Sequence, residues 1–513
     1  MLHSLKKILS SNSFLRLGYH QLLAVLACLL YRFPARKMII VGITGTDGKT
    51  TTTNLITKVI KQIDPCVGMC STINFKVGRK ILRNSTHKTT LGPLELQKRL
   101  REIKNAGAKH CVLEVSSHAI HQHRLWGIPF DILVFTNLSH EHLDYHKTME
   151  EYRRVKGLIF EKLHKFKIKI SLNKKGFYFC PLDKGGWGDF FPKTIIVNGD
   201  DPEADYFLQF SADQKWKIKV RSTKYEVQNH NQKSKINTLV ATNVLLSSHS
   251  TNFKAVFNYK LPQYHSIRGK QATSYKLNLL GDFNVYNALA AIAVGKTLGV
   301  PESKIKQALA SIPLVPGRME LVKISPRQKF DVLLDYAVTP AAFEKLFSTC
   351  RKFSLPPTKK TSHKPFLPLN KGEIKRGSQK PGRLIAVFGA CGDRDQGKRP
   401  ILGEIASRLC DLIIITNEEP YTEDPEKIID MICAGVEKSG RKSTTHNSQL
   451  TTHNYFRLSN RGDAIRFALK IAQPHDLIVI TGMSDQDSMI VGTQKIPWSD
   501  RGFVKKELKR LFT

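Results

Sequence analysis

Met38-Ile-Ile-Val-Gly-Ile-Thr-Gly-Thr-Asp-Gly-Lys-Thr-Thr-Thr-Thr53 is an apolar run that passes through a glycine-rich turn into a polar segment. Met38 to Val41 are apolar and three of them are β-branched, which predicts a buried strand. Gly42, Gly45 and Gly48 follow, and a helix is expected to begin at Lys49. Glycines let backbone N–H groups approach a polyphosphate, and a helix N-terminus adds positive potential. Lys49 would then reach the outer phosphates and the Thr50 hydroxyl would ligate Mg²⁺. The spacing departs from the strict G-x-x-x-x-G-K-[ST] form, because Ile43 stands five residues before Gly48. The bland alternative is a glycine-rich strand-to-helix turn that holds nothing. The segment is read instead as an ATP site formed by Gly45, Thr46, Asp47, Gly48, Lys49, Thr50 and Thr51.

The chain has 513 residues, 41% hydrophobic and 24% charged, enough for two or three globular domains. Its 80 Lys and Arg against 43 Asp and Glu give a net charge of +37, which suits nucleic acid, an anionic membrane or anionic substrates. The lysines are dispersed through inserts and surfaces without interleaved aromatics, so no nucleic-acid partner is expected. Nine scattered cysteines form no metal or disulfide framework, and a cytoplasmic location follows. In the basic segment 1–37, the apolar run Leu22 to Tyr31 is too short to span a bilayer, so no transmembrane segment is expected. A helix packed on the ATP-binding region is the expectation, with membrane-surface contact the alternative that Arg32, Arg36 and Lys37 favour.

Apolar strands expected at Met38–Val41, His110–Val115 and Ile132–Thr136 alternate with helical stretches, the pattern of a mainly parallel sheet. Glu114 ends the second of these, where a carboxylate either faces solvent or holds Mg²⁺ opposite the cradle. His140, Glu141, His142, Asp144 and His146 crowd the loop after the third; hydrogen-bonding roles are favoured there over zinc. Lys156 reads on its own as a solvated lysine. Ile195 to Pro202 reads as a strand entering an acidic turn, and Leu277 to Gly281 as a strand before a helix at Val285–Leu298. Residues 163–192 and 210–275 read as elaborations of the same domain. Beyond a boundary near Leu314–Arg318, buried strands are expected at Asp331–Asp335, Leu384–Phe388, Leu412–Thr416 and Leu477–Thr481. Leu355–Arg383 and Lys438–Tyr455, rich in polar residues and turn formers, read as disordered surface loops.

Several motifs in one order resemble the Mur ligases. They are Gly-Ile-Thr-Gly-Thr-Asp-Gly-Lys-Thr-Thr (42–51), Glu-Val-Ser-Ser-His (114–118), Gln-His-Arg (122–124) and Thr-Asn-Leu-Ser-His-Glu-His-Leu-Asp-Tyr-His (136–146). The order continues with Gly-Asp-Phe-Asn-Val-Tyr-Asn (281–287), Pro-Gly-Arg-Met-Glu (316–320), Asp-Tyr-Ala-Val-Thr-Pro (335–340) and Phe-Gly-Ala-Cys-Gly-Asp-Arg-Asp-Gln-Gly-Lys-Arg-Pro (388–400). The branch most resembled adds the third amino acid to UDP-N-acetylmuramoyl-L-alanyl-D-glutamate in peptidoglycan synthesis, with ATP and Mg²⁺.

The resemblance implies roles for individual residues. Lys156 would be carbamylated and would share a Mg²⁺ with His142, while Thr50 and Glu114 would hold another. Lys49, Lys156 and His142 would be the catalytic set. Thr89, Thr90, Ser116, Gln122 and Arg124 would contact the UDP-muramoyl dipeptide, and Arg394 the incoming amino acid. Asn284 and Asn287 would face adenine, and Arg318 and Asp335 would complete the nucleotide site. The implied fold is α/β, a central P-loop ATPase domain with a mainly parallel sheet (38–314) and a C-terminal Rossmann-like domain (315–513). Residues 1–37 would replace the usual UDP-binding domain of roughly a hundred residues, a domain-sized length. The expected assembly is a monomer.

The sequence also departs from the family pattern. Lys88 stands for an asparagine, Glu418-Glu-Pro-Tyr421 for Asp-Asn-Pro-Arg, Gly482-Met-Ser-Asp-Gln486 for Gly-Lys-Gly-His-Glu, and Val338 for a histidine. Tyr421 cannot make the bidentate carboxylate contact of an arginine, which leaves the acceptor amino acid open. Three other readings stand beside this one: a folate-type or other polyglutamate ligase, a non-catalytic ATP-binding relative, and a nucleic-acid-stimulated ATPase.

Overall fold

The structure is a computed structural model that describes residues 14–86, 88–164, 170–173, 176–179, 191–221, 236–246, 250–258, 271–312, 314–354, 382–444 and 454–512. Within Met38–Thr53, Ile39–Thr44 forms a strand that lies inside an eleven-stranded sheet. It pairs in parallel with His110–Glu114 on one side and with Ile132–Phe135 on the other. Ile43 lies opposite Glu114, and Thr44 opposite Phe135, so the C-terminal ends of these strands meet at one edge. Ligands to an open parallel sheet collect at that edge.

On one side the sheet continues through Gly68–Cys70, Asn74–Val77 and Lys80–Arg83. On the other it runs through Thr194–Asn198, Gln214–Val220, Ile236–Leu246, Thr251–Asn258 and Gln271–Leu277, the last two pairings antiparallel. The helices Lys49–Ile60 and Phe283–Thr297 pack together over one face. Phe283–Thr297 is rich in alanine and apolar nearly all round, as befits a helix buried between the sheet and a second helix. The opposite face is covered by Pro93–Asn105 and Met149–Glu161. The helix Phe14–Tyr31 packs on Pro93–Asn105, with Ala24, Ala27 and Cys28 buried.

A second, seven-stranded sheet runs in the order Glu320–Val322, Asp331–Asp335, Leu477–Thr481, Leu384–Phe388, Leu412–Thr416, Asn454–Leu458 and Lys442–Thr444. All its pairings are parallel except the first. Its central strands are fully buried apolar runs such as Leu-Ile-Ile-Ile-Thr, with core on both faces.

Three expectations need correction. The first strand continues through Gly42 to Thr44. A Cβ at Gly42 would come within 2.6 Å of the Phe130 ring, so that glycine answers to packing in the sheet and not to phosphate. Leu277–Gly281 is a turn, because the strand Gln271–Leu277 ends where it begins; the Asn278 side chain bonds to the Ala310 carbonyl, Gly281 takes φ +96°, and the helix starts at Phe283. Lys438–Tyr455 is not a loop throughout, since Lys442–Thr444 and Asn454–Leu458 are paired strands. An edge strand has a single neighbour and tolerates the polar composition of Lys442-Ser-Thr444. The remainder of that loop, 445–453, and nearly all of the other, 355–381, lie outside the described residues, as do 165–169, 180–190, 222–235 and 259–270 of the elaborations.

The second sheet is tied together near its C-terminal edge by a buried ion pair. Arg461 donates from Nε to Asp500 Oδ1 at 2.8 Å and from Nη2 to Asp500 Oδ2 at 2.6 Å. Trp498 Nε1 and the Ser484 N–H also donate to Asp500. Truncating one member of a buried pair leaves the other charge without compensation, at about 3–5 kcal/mol. Asp500→Ala is therefore expected to lower the unfolding free energy by about that amount, read as a lower urea midpoint; an unchanged midpoint would show that the pair is not stabilising the sheet.

Candidate functional site

The loop from Gly45 to Gly48 is shaped by steric constraint. Gly45 has φ +151° and Gly48 φ +78°. A Cβ at Gly45 would come within 2.0 Å of Thr136 Oγ1, and one at Gly48 within 2.7 Å of Asn287 Oδ1. Asn137 secures the loop from outside, its Oδ1 accepting the Asp47 N–H at 2.8 Å. The helix Lys49–Ile60 then starts with its N-terminus beside the loop, and Lys49 Nζ donates to the Gly45 and Thr46 carbonyls.

Glu114 sits at the end of its strand, 2% exposed. Thr50 Oγ1 donates to it at 2.9 Å, and Thr72 donates from both its N–H (2.9 Å) and its hydroxyl (2.8 Å). Thr50 and Glu114 therefore offer a compact pair of hard oxygens next to the phosphate loop. Among the described residues, no group of three or more His, Cys, Asp and Glu could hold a metal. Mg²⁺ is usually held by one or two protein oxygens together with substrate phosphates, so this donor set fits Mg²⁺.

The loop after Ile132–Phe135 disperses its polar residues among separate partners. His140 Nε2 meets Asp395 Oδ2 at 2.8 Å, Lys398 Nζ donates to Glu141 Oε1 at 3.2 Å, and His146 Nε2 meets Ser117 Oγ at 2.9 Å. His142, in a left-handed conformation, faces the His118 ring at 4.9 Å. Burial holds the His142 imidazole well below its ordinary pKa, with His118 and Lys156 adding to the effect. Burial likewise brings His118 down to about 3 and His146 to about 4. These rings are neutral near pH 7, the form that accepts a hydrogen bond or binds a cation.

Lys156 is not the solvated lysine that its sequence context suggests. It is 1% exposed, donates from Nζ to the Gly45 carbonyl at 2.8 Å and lies over the Tyr152 ring. Burial and then the charge of Lys49 lower its pKa well below that of a free lysine. Its amine therefore stands directly behind the phosphate loop with its positive charge disfavoured.

A cavity of about 800 Å³ opens in front of the loop. One wall carries Thr46, Asp47, Gly48, Lys49, Thr50, Thr51 and Glu114, and a second Thr89, Thr90, Ser116 and Arg124. Thr90 Oγ1 donates to the Glu114 carbonyl and accepts the Ser116 N–H, while Arg124 donates to the Thr90 carbonyl and to Gln122 Oε1. Gln122 lies behind Arg124 and is not in the lining. Asn284 and Asn287 form a third wall; Asn287 donates to Asn284 Oδ1 and accepts from Thr52 Oγ1.

The second sheet supplies Arg318, Asp335, Arg394 and Glu418. Asp335 Oδ2 accepts the Met319 N–H at 2.7 Å, and burial lifts its pKa to about 6 against the opposing charge of Arg318. Arg394 lies over the Tyr421 ring. Residues to which the sequence assigned no site role are Thr72, Tyr336, Thr339, Lys398 and Glu418. Tyr336, Thr339, Lys398 and Glu418 lay within quoted motifs, whereas Thr72 carries no local signal.

Residues 43–178 and 189–295 match the Mur ligase middle domain, and 374–483 match the Mur ligase, glutamate ligase domain. The UDP-N-acetylmuramyl-tripeptide synthetase of Roseiflexus sp. is 35% identical over 491 residues, 95% of this chain and 82% of that protein. The UDP-N-acetylmuramoyl-L-alanyl-D-glutamate--2,6-diaminopimelate ligase 1 of Clostridium acetobutylicum is 31% identical over 490 residues, 96% of this chain and 82% of its own. Among solved structures, a Mycobacterium tuberculosis folylpolyglutamate synthase complexed with ADP shares the fold at TM-score 0.59 and 14% identity, over 96% of this chain and 94% of that one. With family matches covering more than half its length and relatives aligned over 95–96% of it, the chain belongs to the Mur ligase family, ATP- and Mg²⁺-dependent enzymes that form carbon–nitrogen bonds.

Proposed function

We propose that this enzyme adds the third amino acid to UDP-N-acetylmuramoyl-L-alanyl-D-glutamate through an acyl phosphate. The observation that carries this reading is the single cleft in which Lys49, Thr50 and Glu114 face Thr90, Ser116 and Arg124 on one side and Arg394 on another. The names of the relatives above, a tripeptide synthetase and a diaminopimelate ligase, point the same way.

In this reading the donor carboxylate attacks the γ-phosphorus, the bond to the β,γ-bridging oxygen breaks, and ADP leaves. The amine of the acceptor then adds to the acyl carbon, loses a proton, and expels inorganic phosphate. Mg²⁺ held by Thr50 and Glu114 would offset charge on the phosphates. Lys49 reaches the same oxygens, and the loop N–H groups orient them. Arg124, held by Gln122 and the Thr90 carbonyl, would meet an anionic donor. The buried Lys156 amine, disfavoured as a cation, is suited to carbamylation, which would turn it into an anionic partner for a Mg²⁺ shared with neutral His142. Asn284 and Asn287 line the wall expected to meet adenine, and Arg318 and Asp335 approach from the second sheet.

Phosphate release with Mg²⁺-ATP and the UDP-muramoyl dipeptide, surveyed across diaminopimelate, lysine and ornithine with mass detection of the product, tests the assignment. Release that depends on one amino acid supports it; no stimulation by any pair overturns it. Lys49→Ala is expected to lower turnover by about 10²–10³-fold, the scale of losing one preorganised charge-stabilising group, and near-normal turnover would remove Lys49 from the machinery. Lys156→Ala should lose most activity and regain part of it with added acetate or formate. Failure of any short carboxylate to rescue a folded Lys156→Ala protein would remove the carbamate role.

A further inference from the structure

A surface helix that packs on a protein along one side ordinarily presents charged residues on the other. Phe14–Tyr31 does not. Its inner side is formed by Ala24, Ala27 and Cys28, whereas Tyr19, Leu22, Leu26, Leu29 and Leu30 point outward with 41–67% of their surface exposed. The spacing places these five along a single stripe, and no charged residue occurs between Arg16 and Arg32. Scattered exposed leucines need no explanation, but a contiguous apolar stripe marks a surface that something covers.

The charge around the stripe identifies the covering. No Asp or Glu occurs from Phe14 to Thr46, while Arg16, Arg32, Arg36 and Lys37 are all basic. At the C-terminal end of the helix, Arg101 donates to the Tyr31 carbonyl at 2.7 Å, and Lys37 lies in the repulsive field of Lys104 and Arg101. Like charges gathered at one end of an apolar stripe favour an anionic counterpart. Aromatic rings stand at the same end: Trp126, 37% exposed, faces Phe33, and Arg36 lies 4.0 Å over the Phe33 ring. Tryptophan, tyrosine and basic residues around leucines are the composition of a segment lying in a bilayer interface. The helix is not long and apolar enough to cross a membrane, so it would lie along the surface.

We propose that the outer face of Phe14–Tyr31 docks the enzyme on a membrane surface rich in anionic lipid headgroups, the leucine stripe entering the acyl boundary and the flanking basic residues meeting the headgroups. Binding of this kind combines apolar burial with electrostatic attraction, so it depends on lipid charge and weakens with salt. The stripe lies apart from the cleft, and docking leaves ATP chemistry unaltered.

The test is sedimentation of the full chain with vesicles of phosphatidylcholine alone or mixed with phosphatidylglycerol. The protein is expected to bind the mixed vesicles, to bind the neutral ones at least about tenfold more weakly, and to release in high salt. A variant carrying Leu26→Asp and Leu30→Asp should lose vesicle binding by about tenfold or more while keeping its circular dichroism and ATP turnover; Arg32→Glu should weaken binding to the mixed vesicles only. Absence of binding by the unaltered chain, or equal binding by the variants, overturns the proposal. So does a concentration-dependent dimer that Leu26→Asp dissolves without any vesicle binding, which would assign the face to a second copy of the chain.

Discussion

A carboxylate buried at the end of a β-strand must be held by donors, by a cation, or by both, and Glu114 organises the site because of this requirement. Its donors come from separate places: Thr50 from the first turn of the helix after the phosphate loop, and Thr72 from the segment after Gly68–Cys70. They converge only because Ile39–Thr44 and His110–Glu114 pair in parallel with Ile43 opposite Glu114. A shift of one residue in that register would turn the carboxylate to the other face of the sheet. The phosphate loop, the Thr50 and Glu114 oxygens proposed for Mg²⁺ and the Thr90–Ser116 wall thus share one geometric origin.

Electrostatics then divide the labour around this anion. Lys49 and Lys156 both donate to the Gly45 carbonyl, and after burial the charge of Lys49 is what disfavours the charge of Lys156. Burial, aided by neighbouring positive groups that include Lys156, keeps His118, His142 and His146 neutral. Carboxylates and basic side chains are equal in number along the cleft, so this repulsion is local to the two lysines at the phosphate loop. Phosphates and carboxylates entering it relieve repulsion as well as form hydrogen bonds, and so they add to the order of the cleft.

The central strands were legible because they are dense in β-branched residues. Asp331–Asp335, Leu384–Phe388, Leu412–Thr416 and Leu477–Thr481 coincide with the apolar runs that announced them. Ile236–Leu246 and Thr251–Asn258 were not resolved from the lysine-rich text around them, since strands near an edge alternate polar with apolar residues. Among site residues, the phosphate loop could be read locally because its glycines, lysine and threonine are consecutive. Lys156 could not: its burial depends on Tyr152, one turn away, and on a carbonyl 111 residues earlier in the chain. Thr72 and Lys398 are likewise defined by partners distant in sequence, which periodicity cannot supply.

The two sheets meet through polar ties, and where those ties fall matters more than their strength. Thr339 donates to Asp47 at 3.1 Å, His140 meets Asp395, and Lys398 meets Glu141. Isolated ion pairs at a surface contribute little, and a buried pair largely repays its own desolvation, so these contacts are poor glue. Their other property is direction. Asp47 lies between the two positive-φ glycines of the phosphate loop, while His140 and Glu141 precede His142 on the loop after Ile132–Phe135. A rotation of the second sheet would thereby act on the phosphate loop and on the His142 loop together. The acyl-phosphate route proposed for this enzyme would need water excluded while a second substrate is admitted, and a cleft whose far wall is tied to the wall expected to bind phosphate would meet both demands with one motion.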